Sequence, residues 1–219
     1  MVNFRLWYRF NNASISGDII PEFIRSEADY QREILLPMYK EVRVFDPDGI
    51  LQYEWLNSRA AIAKFESNAI EIRILDTQEC VNADIAIAQA IHAILKSWYE
   101  SGSQYHLEQI CPTKQLRAIY DKTIKYGLDV SIDDEDVLTQ WQLPSKRSMS
   151  TRDAWALLIE RVSHELDQAS QLALEHILKH GNLSERILKA CRTDSSKNRL
   201  TQVYRQLGDC LLKNQQFEL

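Results

Sequence analysis

Hydrophobic and polar positions alternate with a period of two in several parts of the first third of the chain, which predicts β-strands there. The candidate strands cover residues 3–10, 42–45, 50–56 and 69–75. In the last of them, Ile70, Ile72 and Ile74 share one face, which we expect to pack against a following helix. Glu71 and Arg73 emerge together on the opposite face. The first third is therefore expected to be mainly sheet, with one helix that Ser26 opens.

From residue 82 onward the hydrophobic period is close to 3.6, which predicts helices. The predicted helices cover residues 82–98, 113–126, 150–180, 184–191 and 196–213. The first is expected to be capped by Asn82 and to bury a stripe of apolar side chains. This stripe consists of Ile85, Ala88, Ile91, His92, Leu95 and Trp98. An acidic stretch over 129–149 is interpreted as a loop, and the fold class is α+β.

The amino-acid composition and charge exclude several classes of protein. The 219 residues include only 6 glycines and 5 prolines, which disfavours a sandwich or barrel with many tight turns. The formal charge of −5 leaves no basic excess for binding nucleic-acid backbones. The chain has no apolar run of about 18 residues and no signal-peptide pattern at its start. Because the four cysteines are scattered, we expect reduced thiols and a cytoplasmic protein.

Glu71 and Arg73 are the residues whose spacing indicates chemistry. Two residues apart on one strand, their side chains lie about 6.6 Å apart along the chain on the same face. A carboxylate ligates Mg²⁺ and a guanidinium pairs with phosphate oxygens, so the pair suits a metal-bound polyphosphate. The alternative is a solvated sheet face on which both residues meet ordinary cross-strand partners.

The stretch Ile70-Glu-Ile-Arg-Ile-Leu-Asp76 resembles a motif of the glutamate–cysteine ligase superfamily. In that family a strand of the pattern (I/L)-E-(V/I/F)-R-x-x-D precedes a helix in the same way. The nearer resemblance is to the bacterial glutamate–cysteine-ligase-like carboxylate–amine ligases. Tyr53-Glu-Trp-Leu-Asn-Ser-Arg59 and Tyr126-Gly-Leu-Asp129 also agree with the family.

The resemblance implies a curved antiparallel sheet that forms a funnel like that of glutamine synthetase, with helices outside. It also implies an enzyme that uses ATP and Mg²⁺ to phosphorylate a carboxylate, after which an amine displaces phosphate to give an amide. Carried over to this chain, Glu71 would be a catalytic residue and a Mg²⁺ ligand, with Asp76 in support. Arg73 would contact the phosphates of ATP or the acyl phosphate, where it stabilises the charge of the transferred group.

The chain also departs from the family pattern. Members are typically nearly twice as long, and a Glu-x-Glu strand in their N-terminal half supplies further metal ligands. This chain contains no Glu-x-Glu. We therefore interpret residues 1–128 as the C-terminal half of a ligase catalytic domain. Residues 129–149 are then a loop and 150–219 a helical segment packed on that domain, and we expect the isolated chain to be inactive or incomplete.

Four further basic residues are candidate ligands. Arg9 and Arg59 lie near predicted strand ends and could bind the carboxylate of an amino-acid substrate through paired hydrogen bonds. Lys122 and Lys125 lie on the predicted helix over 113–126 and could reach a phosphate of the nucleotide. For the two arginines the alternative is a surface salt bridge or a capping contact, and for the two lysines it is a solvated charge on a helix face.

Three functions stay open. The first is a carboxylate–amine ligase of the glutamate–cysteine-ligase-like type, and the second is a non-catalytic interaction or regulatory subunit derived from that fold. The third is a helix-rich structural protein in which the Glu71–Arg73 pair is incidental. The expected partners are small carboxylate and amine substrates, together with a missing N-terminal half or a second copy of the chain. Nucleic acids and membranes are not expected partners.

Overall fold

The computed structural model describes residues 14–51, 56–102, 113–144, 148–192 and 194–218. The chain divides into two compact units, and each is described by itself. The first comprises Met1–Asp76 with Pro112–Arg117, and the second comprises Thr77–Cys111 with Ala118–Leu219. The predicted strand over 3–10 lies outside the described residues, as does most of the candidate over 50–56.

The first unit is built on one interrupted helix. Ser26 caps its start by accepting a hydrogen bond from the Asp29 N–H over 3.1 Å, as the sequence predicts. Helix α1 (Glu27–Tyr30) continues through a π-helical stretch (Gln31–Leu35) into α2 (Leu36–Val42). The core of this unit consists of Tyr30, Ile34, Leu35 and Met38. The predicted strand over 42–45 is wrong, because the helix runs to Val42 and a turn follows it.

A β-hairpin completes the described part of the first unit. Strands β1 (Ala61–Lys64) and β2 (Ala69–Ile72) pair antiparallel, with Ile62 opposite Glu71. The expectation that Ile70 packs under a helix is wrong, since Ile70 is 74% exposed. Its position explains this, because Ile70 adjoins the hairpin tip, where residues 66–69 are also exposed. Ile62, which shares a face with Glu71, is buried instead.

The second unit is mostly helical. Its elements are α3 (Val81–Glu100), α4 (Thr113–Tyr126, whose first residues belong to the first unit), β3 (Ser131–Ile132), α5 (Glu135–Gln140), β4 (Met149–Ser150), α6 (Thr151–Val162), α7 (Gln168–His180), α8 (Leu183–Cys191) and α9 (Lys197–Lys213). Helix α3 packs against α6 and α7, and β3 pairs antiparallel with β4. The described sheets are therefore two-stranded. The α+β class is confirmed, whereas the funnel remains a prediction.

Helix α3 buries a different face from the predicted one. Its buried residues are Ala83, Ala86, Ala90, Ala93 and Ile94. Ile85 and Leu95, which belong to the predicted stripe, are exposed. Small side chains let neighbouring helices approach closely, so the alanine face is the one that packs. The predicted cap is also wrong, because Cys80 holds the N-cap position and Asn82 lies inside the helix.

Two further expectations change in the second unit. The stretch 129–149 is not wholly a loop, since Asp134 caps helix α5 and Val137 and Leu138 are buried. The single helix predicted over 150–180 is broken after Val162. Asp167 begins a new helix there by accepting a hydrogen bond from the Ser170 N–H over 2.7 Å.

A buried ion pair connects three segments of the second unit. Arg186 of α8 pairs with Glu79, which precedes α3, and neither side chain is exposed to solvent. Phe217, near the C-terminus, donates its N–H to Glu79 over 3.0 Å and accepts a hydrogen bond from Arg186 through its carbonyl. Because both charges are paired and also bonded to the backbone, the C-terminal residues are held against the start of α3.

The described residues include three free thiols, those of Cys80, Cys191 and Cys210, while Cys111 lies outside the described ranges. Among the helices in the described ranges, none has the length and apolar character needed to cross a bilayer.

Candidate functional site

The Glu71–Arg73 pair lies at the end of strand β2. Glu71 is within the strand, and Arg73 follows its last residue. Arg73 Nε donates to Glu71 Oε1 over 2.8 Å and Nη2 donates to Oε2 over 3.2 Å, which makes a forked ion pair. The side chain of Arg73 is 19% exposed and that of Glu71 is 43% exposed. The prediction that both side chains share one face is therefore confirmed, and the pair is accessible to solvent.

A second contact holds the other edge of the Arg73 guanidinium. Arg73 Nη1 donates to the backbone carbonyl of Asn57 over 2.5 Å. On strand β1, Lys64 Nζ lies 3.8 Å from Glu71 Oε2. Lys64 and Arg73 thus both approach the Glu71 carboxylate. Ammonium and guanidinium groups are the side-chain groups that pair with phosphate oxygens.

Arg59 lies in the same unit and is buried. Its Nε and Nη2 atoms each donate to one carboxylate oxygen of Glu22 over 2.5 Å. Its Nη1 atom also donates to Asn57 Oδ1 over 3.3 Å. The Arg59 side chain is only 5% exposed, so its assignment to a substrate stays a prediction that this burial does not support.

The remaining candidates are placed as follows. Asp76 is exposed and is the last residue of the first unit's main segment. Lys122 and Lys125 are exposed on the part of α4 that belongs to the second unit. Lys125 Nζ lies 5.0 Å from the centre of the Tyr126 ring. Arg9 lies outside the described residues.

The donor set at Glu71 limits the kind of metal site that is possible. Across the described ranges, no three His, Cys, Asp or Glu side chains converge on one point. Glu71 supplies one carboxylate, which two cations already approach. Mg²⁺ that travels with a nucleotide is commonly held by one or two protein carboxylates together with phosphate oxygens and water. The residues therefore fit a Mg²⁺ ion shared with a polyphosphate and do not fit one held by the protein alone.

Asn57 is the residue of this site that the sequence does not reveal. It lies within the stretch Tyr53–Arg59 that agrees with the family, but nothing in its spacing relates it to Arg73. The contact is made by its backbone carbonyl, and Asn57 precedes Arg73 by 16 positions in the chain. A backbone contact of this kind has no side-chain signature that a sequence pattern could reveal.

Comparisons with known proteins agree with the resemblance. The profile of glutamate-cysteine ligase family 2 (GCS2) matches residues 5–206. This match does not support the narrower prediction that the chain is the C-terminal half of a ligase. An uncharacterised protein of Archaeoglobus fulgidus is 40% identical over 103 residues, which is 45% of this chain and 28% of the relative. The matched region thus spans under a third of that relative's length, and no solved structure matches the chain.

Proposed function

Because this chain belongs to glutamate-cysteine ligase family 2, we propose that it supplies the phosphate-binding part of an ATP-dependent carboxylate–amine ligase. The observation that carries the proposal is the Arg73 guanidinium, which is held at two edges by Glu71 and by the Asn57 carbonyl. Lys64 adds a second positive charge beside it. The acceptor carboxylate and the amine are those of amino acids, with glutamate and cysteine as the first candidates from the family's name.

In the proposed reaction, a carboxylate oxygen attacks the γ-phosphorus of ATP, and ADP leaves. The amine then attacks the carbonyl carbon of the acyl phosphate, inorganic phosphate leaves, the nitrogen gives up a proton to solvent, and an amide remains. During phosphoryl transfer, negative charge spreads over the oxygens of the γ-phosphoryl group. Arg73 would donate hydrogen bonds to those oxygens. Since its guanidinium is already fixed, little reorganisation would oppose the transfer.

Mg²⁺ would reduce the negative charge of the nucleotide phosphates when it is bound there. Glu71 would be its protein ligand, with Asp76 in support. On the resemblance alone, we also propose that Lys122 and Lys125 contact the nucleotide and that Arg9 contacts the substrate carboxylate. These assignments can be examined with the same binding measurement as Arg73.

The test is binding of the Mg²⁺ complex of AMP-PNP, a non-hydrolysable ATP analogue, measured by isothermal titration calorimetry on the full chain. Arg73→Ala should weaken binding by about tenfold or more, because charge-assisted hydrogen bonds are lost. Arg73→Lys should restore little, since an ammonium group cannot reproduce the forked geometry. Arg32→Ala is the matched control, because Arg32 is an exposed arginine of the same unit, paired with Asp29 and Glu33. Unchanged binding in Arg73→Ala would overturn the proposal.

A second candidate, an interaction or regulatory subunit, is favoured by one face of helix α3. Val81, Ile85, Leu95 and Tyr99 on this face are exposed. Together with Ala88 and His92 they recur at alternating steps of four and three residues, the spacing of a helix that packs against a partner helix. A chain that binds no AMP-PNP, but whose self-association in sedimentation is lost in Leu95→Asp, would favour this function over the ligase.

A further inference from the structure

A fully buried polar residue lies directly behind Arg73. Asn57 has no exposure to solvent, although it belongs to an irregular segment before strand β1. Its backbone carbonyl accepts the Arg73 Nη1 hydrogen bond over 2.5 Å. Since a backbone carbonyl moves only with its own residue, whatever holds Asn57 in place also determines where Arg73 is held.

The side chain of Asn57 is held on both its donor and acceptor sides. Asn57 Nδ2 donates to the Tyr30 hydroxyl over 2.8 Å. Asn57 Oδ1 accepts hydrogen bonds from the Arg59 backbone N–H over 3.1 Å and from Arg59 Nη1 over 3.3 Å. The amide group thus connects the interrupted helix of the first unit, through Tyr30, to the segment that leads into the hairpin.

The partners of Asn57 are themselves fixed. Tyr30 is buried, its ring contacts the Phe65 ring edge-on at 5.3 Å, and its hydroxyl also accepts the Ala63 N–H over 3.3 Å. Arg59 is held by both carboxylate oxygens of Glu22. Gly17 adopts a φ of +80°, and a Cβ atom there would overlap the Arg59 guanidinium. Tyr30 and Arg59 therefore each have further contacts besides the one with Asn57. Because both partners are held, the Asn57 amide is held in one orientation between them.

We propose that Asn57 is a positioning residue for Arg73, and that the buried side chains of Asn57, Tyr30 and Arg59, with Arg59 paired to Glu22, orient the Arg73 guanidinium toward a phosphoryl group. The inference rests on the proposed function of Arg73. Glu71 lies only two residues from Arg73 in the same segment, so the ion pair between them does not fix the guanidinium relative to the rest of the unit. The Asn57 carbonyl belongs to a different segment and supplies the second fixed point, which sets the direction of the guanidinium plane.

The experiment combines Tyr30→Phe with Arg73→Ala in the full chain. Tyr30→Phe removes the acceptor of the Asn57 amide while keeping the buried ring. We expect it to weaken Mg²⁺–AMP-PNP binding by about three- to tenfold, as for a misplaced donor. In the double variant the loss should be no larger than in Arg73→Ala alone, because both changes remove the same interaction. Tyr204→Phe, at an exposed tyrosine of the second unit, is the matched control.

A readout that does not require nucleotide is the ¹⁵N NMR resonance of Arg73 Nε–H. It should shift in Tyr30→Phe and stay in place in Tyr204→Phe. If Tyr30→Phe does not fold, Asn57→Ser replaces it in both measurements, since serine shortens the side chain that bridges Tyr30 and Arg59.

The outcomes separate the two proposals. An unshifted Arg73 resonance, or losses in binding that simply add in the double variant, would overturn the positioning role of Asn57 and leave the proposed function standing. Unchanged binding in Arg73→Ala would overturn the proposed function, and the phosphate-directed role of Asn57 with it. A shifted resonance together with non-additive losses supports both.

Discussion

At the scale of single residues, the buried charges of this protein differ sharply from its exposed ones. Glu79 and Arg186 are fully buried and bonded to each other and to the Phe217 backbone. Arg32, by contrast, pairs with Asp29 and Glu33 on the surface. Taking one member from a buried pair leaves the other charge without compensation in a dry environment, whereas water replaces a lost surface partner.

Arg186→Met should therefore lower the free energy of unfolding by about 3–5 kcal/mol. The double variant Glu79→Leu/Arg186→Met should be less destabilised than Arg186→Met alone, because no unpaired charge remains. Arg32→Met is the control and should leave stability nearly unchanged, because water replaces the lost surface partners. Urea denaturation followed by circular dichroism measures all three. A small effect of Arg186→Met would show that the Glu79 carboxylate is not held away from water.

Stability should also fall as the solution becomes acidic. Burial, the Arg186 guanidinium and His180 lower the pKa of His176 from its ordinary value of 6.5. Burial alone would raise the pKa of Glu79, but its hydrogen bonds with Arg186 and the Phe217 N–H lower it overall from 4.5. In both cases the unfolded chain takes up protons more readily than the folded one, so stability is present above these values and lost as pH falls below them.

The measurement is the free energy of unfolding between pH 8 and pH 4. The loss should begin below about pH 6.5 through His176 and steepen below about pH 4.5 through Glu79. His176→Asn should reduce the loss in the free energy of unfolding that begins below about pH 6.5. His164→Asn, which changes an exposed histidine, is the control. If the loss of stability that begins below about pH 6.5 is the same in His176→Asn as in the unchanged chain, His176 does not cause it.

At the scale of elements, helix ends in the second unit depend on side chains brought from other segments. Helix α4 ends at Tyr126, and Gly127 follows it with a φ of +72°. Leu128 N–H then donates to Glu185 Oε1 over 3.3 Å, and Glu185 Oε2 accepts the Asn182 N–H over 2.7 Å. Glu185 therefore serves the end of one helix and the start of another, α8.

Two glycine-to-alanine substitutions should change the stability of the chain in opposite directions. Gly127→Ala should destabilise the chain by about 1 kcal/mol or more, because the residue has a positive φ and its Cβ would displace Glu185. Gly208→Ala, inside helix α9 with no atom within 4 Å of the added Cβ, should stabilise it by about 0.5–1 kcal/mol. Thermal unfolding of the two variants beside the unchanged chain distinguishes them. Equal effects of the two would refute the close approach of Glu185.

At the scale of the whole molecule, the chain belongs to a ligase family, and its match to a curated relative is partial. The curated relative matches over 28% of its own length. Glu71 pairs with Arg73, and no three potential metal ligands converge in the part of the chain that the structure describes. Phosphate binding and complete turnover are therefore separate expectations for this chain.

The purified chain should release little or no phosphate from ATP in the presence of amino acids, even where it binds nucleotide. Displacement of catalytic groups by about 1 Å can cost a hundredfold in rate, so an incomplete set of ligands should cost more. The measurement is phosphate release with ATP, Mg²⁺ and a panel of amino acids, with Glu71→Ala as the comparison. Robust release that survives Glu71→Ala would contradict both the incomplete site and the assignment of Glu71 to the metal.

The sequence by itself determined some of the local features of this protein. The period-two pattern identified strand β2 and placed Glu71 and Arg73 on one face, where they form an ion pair. Ser26 marks a helix start because its hydroxyl accepts a hydrogen bond from the Asp29 N–H, three residues later. Such features depend on neighbours within a few positions, and those neighbours are visible in the sequence.

Only the tertiary structure decided which partners distant residues have. Ile85 and Leu95 look like core residues by their spacing, yet α3 buries its alanine face because close helix packing favours small side chains. Arg59 looks like a substrate ligand, yet it is held by Glu22, 37 positions away. The Asn57 carbonyl behind Arg73 likewise has no local signature. These contacts depend on how separate segments pack together, and no periodicity or short spacing records that.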